Sequence, residues 1–304
     1  MNNYKNKLGV GITIGTGTSN WETIAKQIDL VEQHKLDFAE LSVFDWNIIC
    51  GTKIVDPEIK KLIKICNGRS IGFTVHGELT VNFFDYENIE LHKEILKRNI
   101  ELSSSINALH LVTHFGTTSK KNFLNKNKFQ SLMRMQNEIY QEMGDYAKSH
   151  NVILVVENLF NFHKEHYAPI PSIVANELTN IGHPNVMATL DFSHSYINCN
   201  QNKIDFEKET KTLAPISKHL HVHDSFGLSK NISSYNDSED LSYGNGDLHL
   251  PIGWGNIPFD KFFENLHFPA GLILNLEIQE RFLEYIPETI NKAKNLFNKA
   301  RIIN

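Results

Sequence analysis

The stretch "VILVVENL" (152–159) is apolar and largely β-branched, yet it carries a carboxylate, Glu157, near its end. Such a run reads as a strand, and a carboxylate inside it needs a cation or strong donors if it is buried. Seven further runs have the same character: "LGVGITIG" (8–15), "FAELSVF" (38–44), "IGFTVHG" (71–77), "ALHLVTHFG" (108–116), "VMATLDFSH" (186–194), "HLHVHDS" (219–225) and "LILNLEI" (272–278). Helical periods fill the gaps. "WETIAKQIDLVEQHKL" spaces Ile24, Ile28 and Val31 along one face behind Ser19 and Asn20 as capping residues, and "DPEIKKLIKIC" opens with Asp56 as a cap and Pro57 in the first turn. Longer helical segments fall near 87–106, 122–149 and 281–300, shorter ones near 171–181, 204–213 and 258–266. "FNFHKEHYAP" (160–169) also reads as helical text. Eight strands alternating with helices predict an α/β fold, a (β/α)8 TIM barrel in a single domain over 1–304. A doubly wound sheet is the runner-up, but "GTGTSN" (15–20) lacks the third glycine of a dinucleotide turn.

The chain has 304 residues, 41% hydrophobic and 21% charged, which is ordinary for a soluble globular protein. A net charge of −5 argues against a broadly basic surface that coats nucleic acid. Three cysteines with no CxxC pair favour a reducing compartment and give no support to a thiolate zinc site. With no signal-peptide core and no apolar run of membrane-spanning length, a soluble cytoplasmic protein is the expectation, with no membrane partner.

The informative pattern is where polar residues fall within the strands. His76 ends strand three, His114 strand four, and Glu157 comes late in strand five. Strand six runs through Asp191 to His194, strand seven carries His221, and strand eight ends in Glu277. In a barrel these tips converge on one mouth. The irregular stretch 226–256, rich in Ser, Asn, Asp and Gly, would follow strand seven on that face and adds Asp247 and His249. Any one of these residues alone is ordinarily just solvated or hydrogen-bonded; six consecutive strands ending this way point to a catalytic metal centre. Nitrogen and oxygen donors without thiolates suit zinc, manganese, iron or magnesium. His110 shares a face with His114 but lies deeper, and reads as core or as a support for a ligand. His163, His166, His183 and His267 read as solvated.

These residues resemble the xylose-isomerase-like barrel superfamily, which holds sugar isomerases and epimerases, related dehydratases and the endonuclease IV class (AP endonuclease family 2). The resemblance runs from the first strand to the last. It implies a metal quartet of Glu157 in "VVENL", Asp191 in "LDFSH", His221 in "HVHDS" and Glu277 in "NLEI". The endonuclease IV pattern implies further ligands at His76 in "TVHG", His114 in "THFG", His194, and Asp247 and His249 in "GDLHLPIGWGNI". One to three divalent ions follow, zinc or manganese first. The chain departs from that nuclease pattern at DNA-facing positions. "HGELTVNFF" replaces the usual proline and tyrosine, His223 and Phe226 stand where asparagine and lysine are usual, and Leu248 replaces a basic residue. Lys230 is the single basic residue across 226–256, whereas phosphate contacts draw on Lys and Arg.

Two activities are therefore expected in order. The first is isomerisation or epimerisation of a small polyhydroxylated carbonyl compound, a sugar or sugar phosphate, with Glu157 and Glu277 shuttling a proton through an enediolate while His194, His223 and His249 contact substrate. A dehydratase is a close variant. The second is metal-dependent phosphodiester hydrolysis at abasic sites, with nucleic acid as partner only in that case. A barrel that keeps a metal as a structural element is a third, non-catalytic reading. Within "HLHVHDSFG" (219–227), His221 aligns with the ligand position. His219 lies one pleat deeper, about 7 Å away, His223 lies further out, and Asp224 points off that face. Barrels of this type often pair, so a homo-oligomer is compatible with the sequence.

Overall fold

Eight parallel strands close on themselves in chain order in the computed structural model, which describes residues 7–303. They are β1 (Lys7–Ile14), β2 (Phe38–Ser42), β3 (Gly72–His76), β4 (His110–His114), β5 (Ile153–Glu157), β6 (Val186–Asp191), β7 (Ser217–Val222) and β8 (Leu272–Leu276), with β8 pairing back onto β1. The fold is the expected (β/α)8 barrel. Around it lie α1 (Trp21–Gln33), α2 (Asp56–Cys66), α3 (Ile89–Ser105), α4 (Lys126–Ser149), α5 (Pro171–Ile181), α6 (Phe192–Asn202), α7 (Phe206–Leu213), α8 (Asp237–Tyr243), α9 (Phe259–Phe263) and α10 (Ile286–Lys299). Asn20 caps α1 through the Glu22 and Thr23 amides, and Ile24, Ile28 and Val31 are buried as their spacing predicts. No helix among the described residues is long and apolar enough to cross a membrane.

Local chemistry moves several boundaries. Strand six stops at Asp191 because that side chain caps α6, accepting from the His194 amide at 2.6 Å, so His194 rides on the first helical turn rather than on a strand. Val55, not Asp56, precedes α2, and Asp56 is already helical. The segment 122–149 breaks at Asn125, whose side chain caps α4 through the Lys128 amide. "FNFHKEHYAP" is not helical: Asn161 accepts from the Ala168 amide, and His166–Tyr167 pair with Thr118–Ser119. The stretch 226–256 is less irregular than expected, because Asn236 caps α8 and Gly244, at φ 62°, ends it.

The two faces of the barrel wall differ sharply. Outward residues such as Leu111, Leu154, Val156, Leu220, Leu274 and Leu276 join the helices in one apolar core. Inward positions are largely polar and buried: Glu40, Thr74, His110, Thr189, His219 and Asn275, then His76, Glu157, Asp191 and His221. TIM barrels ordinarily fill this space with branched aliphatic residues. Each unpaired polar group here would cost about 1–3 kcal/mol, so the interior must be a hydrogen-bonded assembly.

Candidate metal centre

Glu157, Asp191, His221 and Glu277 each offer a ligand atom, and these atoms lie within 4.8 Å of one another. All four residues are buried. The His221 Nδ1 is 3.1 Å from Glu157 Oε1, 3.4 Å from Glu277 Oε2 and 3.9 Å from Asp191 Oδ2. Register brings them level, since His114 pairs with Glu157 and Asp191 with His221. Four more groups share members with this quartet: His76, His114 and Glu157; His223, His249 and Glu277; His76, His221 and Glu277; and, deeper, Glu40, His219 and His221. Asp247 joins the far side, with Oδ2 3.1 Å from His194 Nε2 and 2.9 Å from His249 Nε2. Every residue expected at the site is thus brought to one mouth.

The imidazoles are held in a common way. His76 Nδ1 meets the Gly77 carbonyl at 3.1 Å, His114 Nδ1 the Leu79 carbonyl at 3.0 Å, His194 Nδ1 the Asn158 carbonyl at 3.1 Å and His249 Nδ1 the Glu277 carbonyl at 3.0 Å. Nδ1–H donation to a carbonyl leaves Nε2 as the nitrogen turned to the site, toward Glu157 Oε2 for His76 and His114 and toward Asp247 Oδ2 for His194 and His249, as metal-binding histidines are typically arranged. His249 is held this way at a φ of 47°, a backbone conformation that costs a non-glycine residue about 1–3 kcal/mol. His221 is reversed, its Nε2 anchored at 3.0 Å on Glu40 Oε1 and its Nδ1 turned to the quartet.

Charge balance shows what the site fits. Glu40, Glu157, Asp191, Asp247 and Glu277 converge, and no lysine or arginine pairs with any of them among the described residues. Burial alone pushes the Glu157 carboxyl upward, but the rings of His221, His194 and His76 outweigh it and hold it well below the usual carboxylate range. Burial likewise disfavours charge on His221, yet Glu277, Glu157 and Glu40 raise it well above an ordinary imidazole. His249 is pushed up to about 9, with burial opposing and Asp247 prevailing. At His114 burial wins and takes the ring down to about 4. Glu157 Oε2 is buried with no hydrogen-bond partner, 3.4 Å from His76 Nε2 and 3.5 Å from His114 Nε2. An acid-rich nitrogen and oxygen donor set around such an oxygen fits a divalent cation.

The remaining histidine-strand residues fall into place around this centre. His219 lies beneath His221, with Nε2 2.9 Å from Glu40 Oε2 and Nδ1 3.2 Å from His110 Nδ1. His223 stacks on His249 at 4.0 Å between ring centroids and reaches Asp191 Oδ2 at 3.1 Å. Asp224 faces away from the quartet and accepts from the amides of Ser225, Gly253 and Ile257, folding the long loop back so that Asp247 and His249 reach the mouth. Sequence reasoning missed Glu40, Asn275 and Thr13, which bond to one another in the barrel interior. Glu40 in "FAELSVF" carried a signal, a carboxylate inside an apolar strand, of the same kind as Glu157.

Above the quartet lies a cavity of about 480 Å³, within the size range of small-ligand pockets. His76, His114, Glu157, His194, His249 and Glu277 form its polar floor, and Phe44, Leu79, Leu159, Phe162 and Ile278 form an apolar collar. Its lining, among the described residues, includes no lysine or arginine.

The model of the family "Xylose isomerase-like TIM barrel" matches residues 28–296. Among solved structures, a D-tagatose 3-epimerase-like protein aligns at 18% identity and TM-score 0.67, covering 96% of this chain and 98% of that one. D-psicose 3-epimerase from Clostridium cellulolyticum H10, solved with D-tagatose, aligns at 13% identity and TM-score 0.65 over 95% and 99%. A xylose isomerase-like TIM barrel protein from Mycobacterium smegmatis in complex with magnesium aligns at 14% identity and TM-score 0.65 over 98% of each chain. At these identities the likeness is one of fold. No curated protein matches the chain. On the family match, the chain belongs to the xylose isomerase-like TIM barrel family.

Proposed function

We propose that the protein is a divalent-metal-dependent isomerase or epimerase of a small polyhydroxylated carbonyl compound. The observation that carries this reading is a pair of acids, Glu157 and Glu277, flanking His221 at the floor of a cavity whose lining, among the described residues, includes no lysine or arginine. Glu157, Asp191, His221 and Glu277 would hold the ion, and a bound divalent ion supplies Lewis acidity toward substrate oxygens. One carboxylate takes the proton from a carbon next to the carbonyl, and the other returns it. His194, His223 and His249, grouped around Asp247 at the mouth, hold substrate hydroxyls. The apolar collar packs against the carbon face of the substrate, and the two acids regain their protons from solvent between turnovers. The sugar-epimerase relatives and the magnesium in one relative support this reading. Turnover of a ketose, aldose or sugar phosphate in a panel that includes abasic-site DNA is the expected result, and DNA incision at a nuclease-like rate with silence on every sugar would overturn it.

A second reading, phosphodiester hydrolysis, is favoured by one observation. His76 and His114 form a further ligand group with Glu157, and Asp247 lies against His194 and His249, none of which proton transfer requires. Two-metal and three-metal sites suit in-line displacement at phosphorus.

A further inference from the structure

His221 differs from the other candidate ligands in how it is anchored. His76, His114, His194 and His249 each fix one ring nitrogen on a backbone carbonyl, an acceptor that belongs to the barrel wall. His221 has no such carbonyl. Its outward nitrogen, Nε2, meets a carboxylate oxygen, Glu40 Oε1, at 3.0 Å. That carboxylate is itself immobilised, because Oε1 also accepts from Thr13 Oγ1 at 3.2 Å and Asn275 Nδ2 at 2.8 Å, and Oε2 accepts from Thr74 Oγ1 at 3.0 Å. Neutral donors from three strands would fix Glu40 even if His221 were absent. Glu40 is therefore held independently of the ring that it holds.

We propose that Glu40 is the positioning residue for His221, keeping a proton on Nε2 and so presenting Nδ1, with its lone pair, to Glu157, Asp191 and Glu277. An ionised carboxylate can only accept, so the proton shared with Glu40 belongs to Nε2, and Nδ1, 3.1 Å from Glu157 Oε1, is the nitrogen that gives up its proton to a cation. The ring then has one orientation and one tautomer, and its basicity toward a cation rises. Beneath it, His219 Nε2 approaches Glu40 Oε2 at 2.9 Å, too obliquely for a straight hydrogen bond, and His110 and His219 share one proton between Nδ1 atoms 3.2 Å apart. This buried pair closes the floor below Glu40 and keeps water from competing for its oxygens.

The proposal rests on the metal-dependent reading above, and its test separates the two. Zinc dissociation constants, measured by competition with a chromogenic chelator, should weaken about 10–100-fold in Glu40→Leu, as for other lost ligand supports. Glu40→Gln should weaken less, because its amide oxygen still accepts from His221. Thr74→Val removes another donor to the same carboxylate without touching the His221 contact, and should stay within about threefold of wild type. Equal losses in Glu40→Leu and Thr74→Val, or an unchanged constant in Glu40→Leu, would overturn the positioning role. If Glu40→Leu fails to fold, nitrogen-15 NMR of the His221 ring decides, recorded on metal-free wild-type protein at a pH where the ring is neutral. A proton on Nε2 supports the proposal, and a proton on Nδ1 contradicts it. If wild type binds no zinc, the metal-dependent reading fails, while the NMR result still decides the role of Glu40.

Discussion

Glu157 turns one oxygen to His221 and His194, both 3.1 Å away, and leaves the other unbonded before His76 and His114. Replacing it with Gln keeps the shape but removes the charge and the ability to take a proton. Glu157→Gln and Glu277→Gln should each lower kcat by about 10²–10⁴, the usual worth of a positioned acid or base. Circular dichroism should show both variants folded, and near-wild-type turnover in either would refute its acid–base role. A pH prediction follows from the same rings. His221 and His194 are raised well above an ordinary imidazole by the surrounding carboxylates and His249 to about 9, so protons compete with a metal ion for these rings. Metal affinity should therefore rise with pH and level off beyond about 9, with protons released on binding. Calorimetry in buffers of different ionisation enthalpy measures this release, and its absence would mean that these histidines are not ligands.

At the scale of elements, the strand ends and the long loop assemble the site. Asp224 fastens that loop by accepting three backbone amides, from Ser225, Gly253 and Ile257. Asp224→Ala should lower stability by about 1–3 kcal/mol, the cost of stranding buried donors, and should weaken metal binding through the displaced Asp247 and His249. Thermal melting and a metal titration check both effects. The strands were legible because β-branched runs ending in charged residues are rare outside buried sheets, and so His76, His114, Glu157, Asp191, His221 and Glu277 could be read as one set. The helix carrying His194 was not legible, because "DFSHSYINCN" continues an apolar run and only the capping geometry of Asp191 reveals the turn. Glu40 was missed for a related reason. Its value lies in the partners Thr13, Thr74, Asn275 and His221, which come from four other strands that the local sequence does not link.

For the whole molecule, the fold and the charge distribution point the same way. A barrel interior normally filled by aliphatic layers is here a polar assembly that ends in an acid-rich mouth. The chain has 30 Lys and Arg against 35 Asp and Glu, yet the cavity lining includes no lysine or arginine among the described residues. That suits a neutral polyol better than a polyanionic backbone, whose binding depends on Lys and Arg. Metal content by elemental analysis is expected to separate the two readings: one tightly held ion suits proton transfer, and three suit a nuclease-like centre. The most direct test is exchange with solvent deuterium. Metal-loaded protein incubated in deuterium oxide with a panel of ketoses, aldoses and their phosphates should place deuterium, by proton NMR, at the carbon next to the carbonyl of its substrate, and Glu157→Gln should abolish this. No exchange with any sugar, from a preparation that incises abasic-site DNA, would contradict the account.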